Sequence, residues 1–366
     1  MAQKPLEDLQ KLLINSDLDA LVLNPGPTLA YLTGLNFHLM ERPVVLIITR
    51  TNQPVLVLPE LEKIKTEGKG LNCFTYGDNP NTWQSVFNEA ASSLSLAGKK
   101  VGVESTRLRF LELSYLKEAV KDADFVASGD LLGSLRIIKS SQEIELMRRA
   151  VKIAEEGFQT LLKQIRPGIT EKEAASELCL NMLRAGSDSE FPFAPIIASG
   201  PNSANPHAVP SERKFANGDL VIIDWGASFD GYFSDLTRTL AIGQIEPEFQ
   251  KIASLVRQAN KVGRNTARPG IYAGQVDLAA RTVIEQGGYG PFFNHRLGHG
   301  LGMEAHEQPY IFSENKMTLL EGMSFTIEPG IYLPERGGVR IEDNVVISAS
   351  GCDCLSSLSR ELYQIP

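Results

Sequence analysis

One short phrase, written twice, constrains this chain more than any other feature. Arg166-Pro167-Gly168-Ile169 returns as Arg268-Pro269-Gly270-Ile271, an offset of 268 − 166 = 102 residues. Each copy lies between two stretches of helical spacing, 147–162 and 174–183 in the first case, 249–266 and 276–284 in the second. After each second helix the apolar pattern changes to that of strands. Two α-α-β-β halves made by duplication would pack about a pseudo-two-fold axis, with their sheets joined in the middle. A cleft between such halves is a natural place for a site.

The first third of the chain has a different pattern. Leu6 to Ile14 has helical spacing and Leu18 to Leu23 is a short apolar run. Val44 to Ile48 and Val55 to Leu58 read as neighbouring strands split by Thr51-Asn52-Gln53. A helix over 82–96, a strand over 101–103 and a helix over 108–120 complete a small α/β unit. With 366 residues the chain is too long for one ordinary core. The expectation is an N-terminal α/β domain over 1–135, a linker over 136–142 and a larger α+β domain over 143–366.

Composition narrows the functional classes. Net charge is −8 and no basic block outweighs the acidic residues on any long segment, so nucleic acid is not the expected partner. No window approaches the ~20 apolar residues of a membrane span, and residues 1–10 lack the apolar core of a secretory signal. Four cysteines, Cys73, Cys179, Cys352 and Cys354, are too scattered for a disulfide framework. The expected compartment is the cytoplasm. Cys352 and Cys354 lack the second pair that a zinc site would need and read as two half-buried thiols.

Chemistry gathers in the second domain. Asp224, Asp235, His299, Glu328 and Glu342 are metal-ligand types, and each lies in or beside a strand-like segment that fixes where a side chain points. Asp230-Gly231 is a strong hairpin signal. With those two at the turn, counting outward sets Gly226 opposite Asp235, so Asp224 and Asp235 share a face as diagonal neighbours, roughly 7 Å apart at their backbones. For the second pair, Pro334 to Gly338 reads as the loop between two strands. That loop sets Glu342 opposite Gly330 and makes Glu328 its diagonal neighbour, again on one face. Four carboxylates and an imidazole suit two divalent ions; the oxygen-rich set favours Mn²⁺, Co²⁺ or Zn²⁺ over a structural thiolate-zinc site.

Histidine is scarce, with five in the chain, and His295, His299 and His306 fall within twelve positions. The glycines on both sides of His299 would allow backbone to approach a ligand. Three histidines around a Gly-His-Gly point to a site.

Five stretches together resemble one family, the pita-bread metallopeptidases that include aminopeptidase P, prolidase and methionine aminopeptidase. They are Ile223-Asp224-Trp225-Gly226-Ala227, Ser234-Asp235-Leu236-Thr237-Arg238-Thr239, Gly298-His299-Gly300-Leu301-Gly302, Ile327-Glu328-Pro329-Gly330-Ile331-Tyr332 and Gly338-Val339-Arg340-Ile341-Glu342-Asp343. The resemblance implies a C-terminal pita-bread domain, duplicated about a pseudo-two-fold, behind a creatinase-like N-terminal domain. It implies that Asp224 binds one metal, that Asp235 and Glu342 bridge both, and that His299 and Glu328 complete the other. Glu328 would also move the proton from the metal-bound water to the leaving amine.

By the same resemblance His207 contacts the substrate amide, His306 steadies the tetrahedral intermediate and His295 lies by the proline pocket. Arg340 would hold Glu342 and is grouped with those histidines on the substrate side. The N-terminal domain and the retained ligands favour the Xaa-Pro branch, with a small peptide carrying proline at P1′ as substrate and a homodimer as the assembly. Dipeptidase and aminopeptidase P activities both remain open, and His38 or Arg42 is the candidate for meeting the substrate's far end. A hydrolase of a small amide and an inactive peptide-binding module are the competing readings.

Overall fold

The computed structural model describes residues 3–366. Contacts divide it into two compact units, the first ending at Leu135 and the second running Arg136–Pro366. In the first unit, strands β1 (Ala20–Leu23), β2 (Val45–Thr49), β3 (Val55–Pro59), β4 (Asn72–Tyr76), β5 (Lys100–Val103) and β6 (Asp124–Ala127) form one sheet in the order β4-β3-β2-β1-β5-β6. β1 runs parallel to β5 and antiparallel to β2. The central strands are apolar at nearly every position because both faces are covered. Ala20, Val22, Val45, Ile47, Val55 and Val57 enter one core, and Leu21, Leu23, Leu46, Ile48, Leu56 and Leu58 enter the other.

Helices α1 (Gln3–Ile14), α2 (Pro27–Thr33), α3 (Trp83–Leu94), α4 (Phe110–Ala119) and α5 (Gly129–Arg136) belong to this part of the chain. β4, β6, α2 and α5 are additions to the sequence-based expectation. β4 and β6 are edge strands with exposed or half-buried residues at most positions, so they lack the apolar run that marks a central strand.

The second unit carries the duplication. Its first half comprises α6 (Ser141–Leu162), α7 (Glu171–Arg184), β7 (Ile196–Ser199), β8 (Leu220–Trp225), β9 (Ser228–Phe229), β10 (Tyr232–Phe233) and β11 (Leu236–Ile242). The second half comprises α8 (Pro247–Thr266), α9 (Ala273–Gln286), β12 (Gly298–Gly300), β13 (Glu307–Ile311), β14 (Ser324–Ile327), β15 (Gly330–Leu333), β16 (Gly337–Arg340) and β17 (Asp343–Ile347), followed by β18 (Cys352–Cys354) and β19 (Tyr363–Ile365). α6 and α7 each start at a capping box, Ser140 with Glu143 and Thr170 with Glu173.

The repeated phrase performs the same task in both halves. Gly168 and Gly270 take positive φ, 90° and 86°, a left-handed conformation that glycine adopts without strain. Their amides donate to Phe215 O at 2.8 Å and Leu319 O at 2.9 Å. The bridge Thr170↔Lys214 in the first half has its counterpart in Tyr272↔Thr318. Each half therefore closes its helix pair onto its own strands through an identical turn. The two sheets, β19-β11-β8-β7 and β13-β12-β14-β17-β18, meet where Thr237 bridges to Glu342. The duplicated architecture expected above is what the chain adopts.

Candidate metal centre

The first hairpin has the register that the Asp-Gly turn implied. Tyr232 faces Phe229, Thr237 faces Asp224 and Leu236 faces Trp225. Continued between those ladders, the same register sets Gly226 opposite Asp235. There is no room for a side chain at Gly226, since a Cβ would lie 2.1 Å from Ser234 O. Asp224 and Asp235 thus share one face of a tightly closed pair of strands.

The second hairpin differs from expectation by two residues. Gly330 pairs with Arg340, Leu333 with Gly337 and Ile327 with Asp343, so the register sets Glu328 directly opposite Glu342. The loop is three residues, Pro334-Glu335-Arg336, with Glu335 at φ 62°. Gly337 and Gly338 had read as loop; they are strand residues kept small by close packing. A Cβ on Gly338 would lie 2.3 Å from Ser203 O. A shift of two preserves the face, so Glu328 and Glu342 still point the same way.

The bridge from Thr237 to Glu342 brings the two hairpins together. Asp235, His299 and Glu342 each offer a ligand atom within 4.8 Å of the others. His299 Nε2 lies 3.4 Å from Glu328 Oε1 and 3.6 Å from Asp235 Oδ2, beyond ordinary hydrogen-bond length. The glycines beside His299 admit neighbouring strands rather than a ligand. A Cβ on Gly298 would meet Thr326 O at 1.9 Å, and one on Gly300 would meet Gln308 O at 2.1 Å.

Electrostatics make this cluster unstable on its own. Burial pushes the Asp235 and Glu342 carboxyls well up, and repulsion from the other carboxylates adds to it. Burial raises Asp224 against the pull of Arg340, and it pushes Glu328 up to about 8. The His299 imidazole is driven well down by burial and by His306, which keeps it neutral and able to ligate. Asp224 Oδ1 and Glu342 Oε1 are buried and have no hydrogen-bond partner. Two orphaned carboxylate oxygens, beside a neutral imidazole and two further carboxylates, are what a divalent cation would satisfy. The residues fit the metal that the resemblance implies.

Arg340 is 3% exposed, and its contacts correct the expected one. Nη2 donates to Asp224 Oδ2 at 2.6 Å, Nη1 to the Tyr332 hydroxyl at 2.9 Å and Nε to Thr237 Oγ1 at 3.1 Å. It reaches Glu342 only through Thr237, whose hydroxyl donates to Glu342 Oε2 at 2.7 Å. Tyr332 also lies 2.9 Å from His295 Nε2. Its oxygen accepts from Arg340, so the Tyr332 hydroxyl proton faces His295, which leaves Nδ1 as the protonated nitrogen, 2.8 Å from Arg296 O. Burial lowers His295 to about 3. Thr237 and Tyr332 were not singled out individually in the sequence, although Thr237 lies two residues from Asp235 and Tyr332 four from Glu328, even spacings that keep a strand face.

The remaining histidines lie around this cluster. His306 is exposed, and its ring centroid is 3.9 Å from that of His299. Its ring is partly desolvated beside His299, which lowers its pKa, with the Arg296 and His207 charges adding to the effect. His207 is exposed on the segment after the 3₁₀ turn Gly200–Ala204, and its amide donates to Asn205 Oδ1 at 3.0 Å. In the first unit Arg42 is paired with Asp78 at 2.6 Å.

Comparison with known proteins agrees with this geometry. Residues 145–349 match the model of metallopeptidase family M24, and 5–138 match the creatinase/prolidase N-terminal domain. The chain belongs to metallopeptidase family M24. Among curated M24 relatives, an Xaa-Pro dipeptidase of Pyrococcus horikoshii is 40% identical over 264 residues, 72% of this chain and 75% of the relative. An Xaa-Pro dipeptidase of Lactobacillus delbrueckii subsp. lactis is 32% identical over 364 residues, 99% of each chain. The crystal structure of a prolidase from Thermococcus sibiricus superposes with a TM-score of 0.96 at 32% identity, covering 100% of this chain and 99% of the other. This M24 chain is accordingly a metallopeptidase with a pita-bread domain behind a creatinase-type N-terminal domain. Among the described residues, no helix is long and apolar enough to cross a membrane.

Proposed function

We propose that the protein is an Xaa-Pro dipeptidase that uses two divalent ions, manganese first among them, to cleave the bond before proline. The observation that carries this reading is the set of four carboxylates on two facing hairpins with His299 of β12 beside them, and with buried carboxylate oxygens left unpartnered at Asp224 and Glu342. The names of two full-length relatives, Xaa-Pro dipeptidase and prolidase, support the substrate class. Work in the cytoplasm and as a homodimer belongs to the same proposal.

Bound among Asp224, Asp235, His299, Glu328 and Glu342, the two ions would supply Lewis acidity and bring the pKa of a shared water near neutrality. Glu328 is suited to proton transfer. It is the most exposed of the four carboxylates, at 15% of its side chain, and so the one most open to an attacking water and a substrate nitrogen. It takes a proton from the attacking water and delivers it to the proline nitrogen as the peptide bond breaks. Thr326 Oγ1, 3.3 Å from Glu328 Oε1, helps to orient that carboxylate. Arg340 orients Asp224 and Tyr332, and Tyr332 fixes the tautomer of His295 beside the proline ring. His207 and His306 are free to donate to the substrate carbonyl as negative charge grows on it.

The test is a peptide panel on protein stripped by a chelator and reloaded with Mn²⁺. Xaa-Pro dipeptides should be cleaved, and Xaa-Pro-Yaa tripeptides much less. Preference for the tripeptides would move the assignment to aminopeptidase P. No cleavage of either would overturn it.

A further inference from the structure

We propose that Arg136 and Lys139, at the start of the second unit, are positioning residues for His306. They act through Glu304 and Glu307, which flank that histidine. The inference rests on the reading of His306 given above and extends it to residues no part of that reading uses.

The turn between Leu301 and Glu307 has little hold of its own. It has no regular secondary structure, and its internal backbone bond is Gly302 N to Glu304 O at 3.2 Å. Phe233 N donates to Gly302 O at 2.8 Å at its start, and β13 takes over from Glu307 onward. His306 lies between these points, exposed, with its ring against His299. What grips this stretch is a set of buried ion pairs. Lys139 Nζ lies 2.6 Å from Glu307 Oε1, Arg136 Nη1 lies 3.1 Å from Glu307 Oε2, and Arg136 Nη2 lies 2.7 Å from Glu304 Oε2.

The pairs are enclosed. Side-chain exposure is 1% for Lys139 and 7% for both Arg136 and Glu307. Gly302 leaves the space that the Lys139–Glu307 pair fills, since a Cβ there would lie 2.9 Å from Glu307 Oε1 and 3.1 Å from Lys139 Cε. Lys139 is itself anchored by backbone: its N donates to Gly322 O at 2.9 Å, and Ile138 bridges to Met323. Buried pairs of this kind are seldom the most stable filling of a core, and apolar replacements often do as well or better. Their advantage is a fixed register. Here the fixed element is the turn that presents His306 to the substrate.

The prediction is tested by a double-mutant cycle on the metal-loaded protein with an Xaa-Pro dipeptide, reading kcat and KM, with melting temperature and metal per chain as companions. Lys139→Met should lower kcat by roughly 10- to 100-fold, the scale of a misplaced catalytic contact, with KM and metal content little changed. In a His306→Ala background the same substitution should change kcat by no more than about two-fold, because the group it positions is gone. Lys139→Arg should recover part of the loss. Should Lys139→Met fail to fold, Glu304→Gln, at a side chain 19% exposed, decides the matter with a smaller loss of the same non-additive kind. Losses that multiply in the two backgrounds, or a folded Lys139→Met with unchanged kcat, would overturn the inference and leave the proposed function standing. A fully active His306→Ala would remove the role assigned to that histidine and this inference with it.

Discussion

Glu342 and Asp343 are adjacent, 2% and 0% exposed, and turned to opposite faces of the chain where β17 begins. Asp343 is fully provided for. Its Oδ1 accepts from Arg238 Nη2 at 2.8 Å and Ser356 Oγ at 2.7 Å, and its Oδ2 from Arg360 Nε at 2.7 Å. Burial alone would raise its pKa, but Arg238 and Arg360 hold it well below the usual carboxylate range. Glu342 has one partner, the Thr237 hydroxyl, and its pKa is pushed well above the usual value. Burial is common to both residues, so burial is not the mark of the metal site. The mark is the missing partner.

Four measurements can break or sharpen that contrast. The largest effect should be catalytic: Glu328→Gln should reduce kcat by about 10³-fold or more in folded protein, with metal per chain read alongside because Glu328 is also a proposed ligand. If the variant kept a tenth of wild-type turnover, the proton role would belong elsewhere. Next is stability on the satisfied side. Asp343→Ala removes the carboxylate that Arg238 and Arg360 share, and should cost about 3–5 kcal/mol in chelated and metal-loaded protein alike, read by denaturant melts.

On the other face the sign should reverse with metal. In chelated protein Glu342→Gln removes one of four mutually repelling carboxylates and should stabilise by about 1 kcal/mol. With Mn²⁺ at 100 times its dissociation constant, wild type should gain about 2.7 kcal/mol and Glu342→Gln much less. Equal gains in the two proteins would exclude Glu342 as a ligand.

The smallest effect is a pH dependence at Glu171, a second fully provided carboxylate. Burial would raise it, but Ser211 and Ser199 each donate through side chain and backbone, and the net shift is downward. A folded pKa below the unfolded one gives stability that is present above the unfolded value, near 4.5, and is lost as pH falls through the folded one. Melting temperature should therefore fall more steeply below pH 4.5 in wild type than in Glu171→Gln. Parallel curves would contradict the assignment.

The same contrast explains what the sequence could and could not disclose. Asp224 and Asp235 were legible because Asp230-Gly231 leaves one plausible turn and parity does the rest. The second hairpin was read two residues out because Gly337-Gly338 looks like loop chemistry until Ser203 is seen against it. Thr237 and Tyr332 passed unnoticed, since a hydroxyl on a strand has no pattern of its own. The partner of Arg340 could not be read at all. Asp224 is 116 positions away, and only the join between the two halves brings them into contact. The duplication, in contrast, was written twice and needed no long-range information.

The three-residue turn at Pro334-Glu335-Arg336 has a consequence for how this chain can change over time. Inserting a residue in that exposed turn would lengthen a loop and leave both arms in register, whereas one extra residue within β15 or β16 would turn an arm over and send Glu328 or Glu342 to the far side. Length variation is therefore tolerable in the turn and not in the strands beside it.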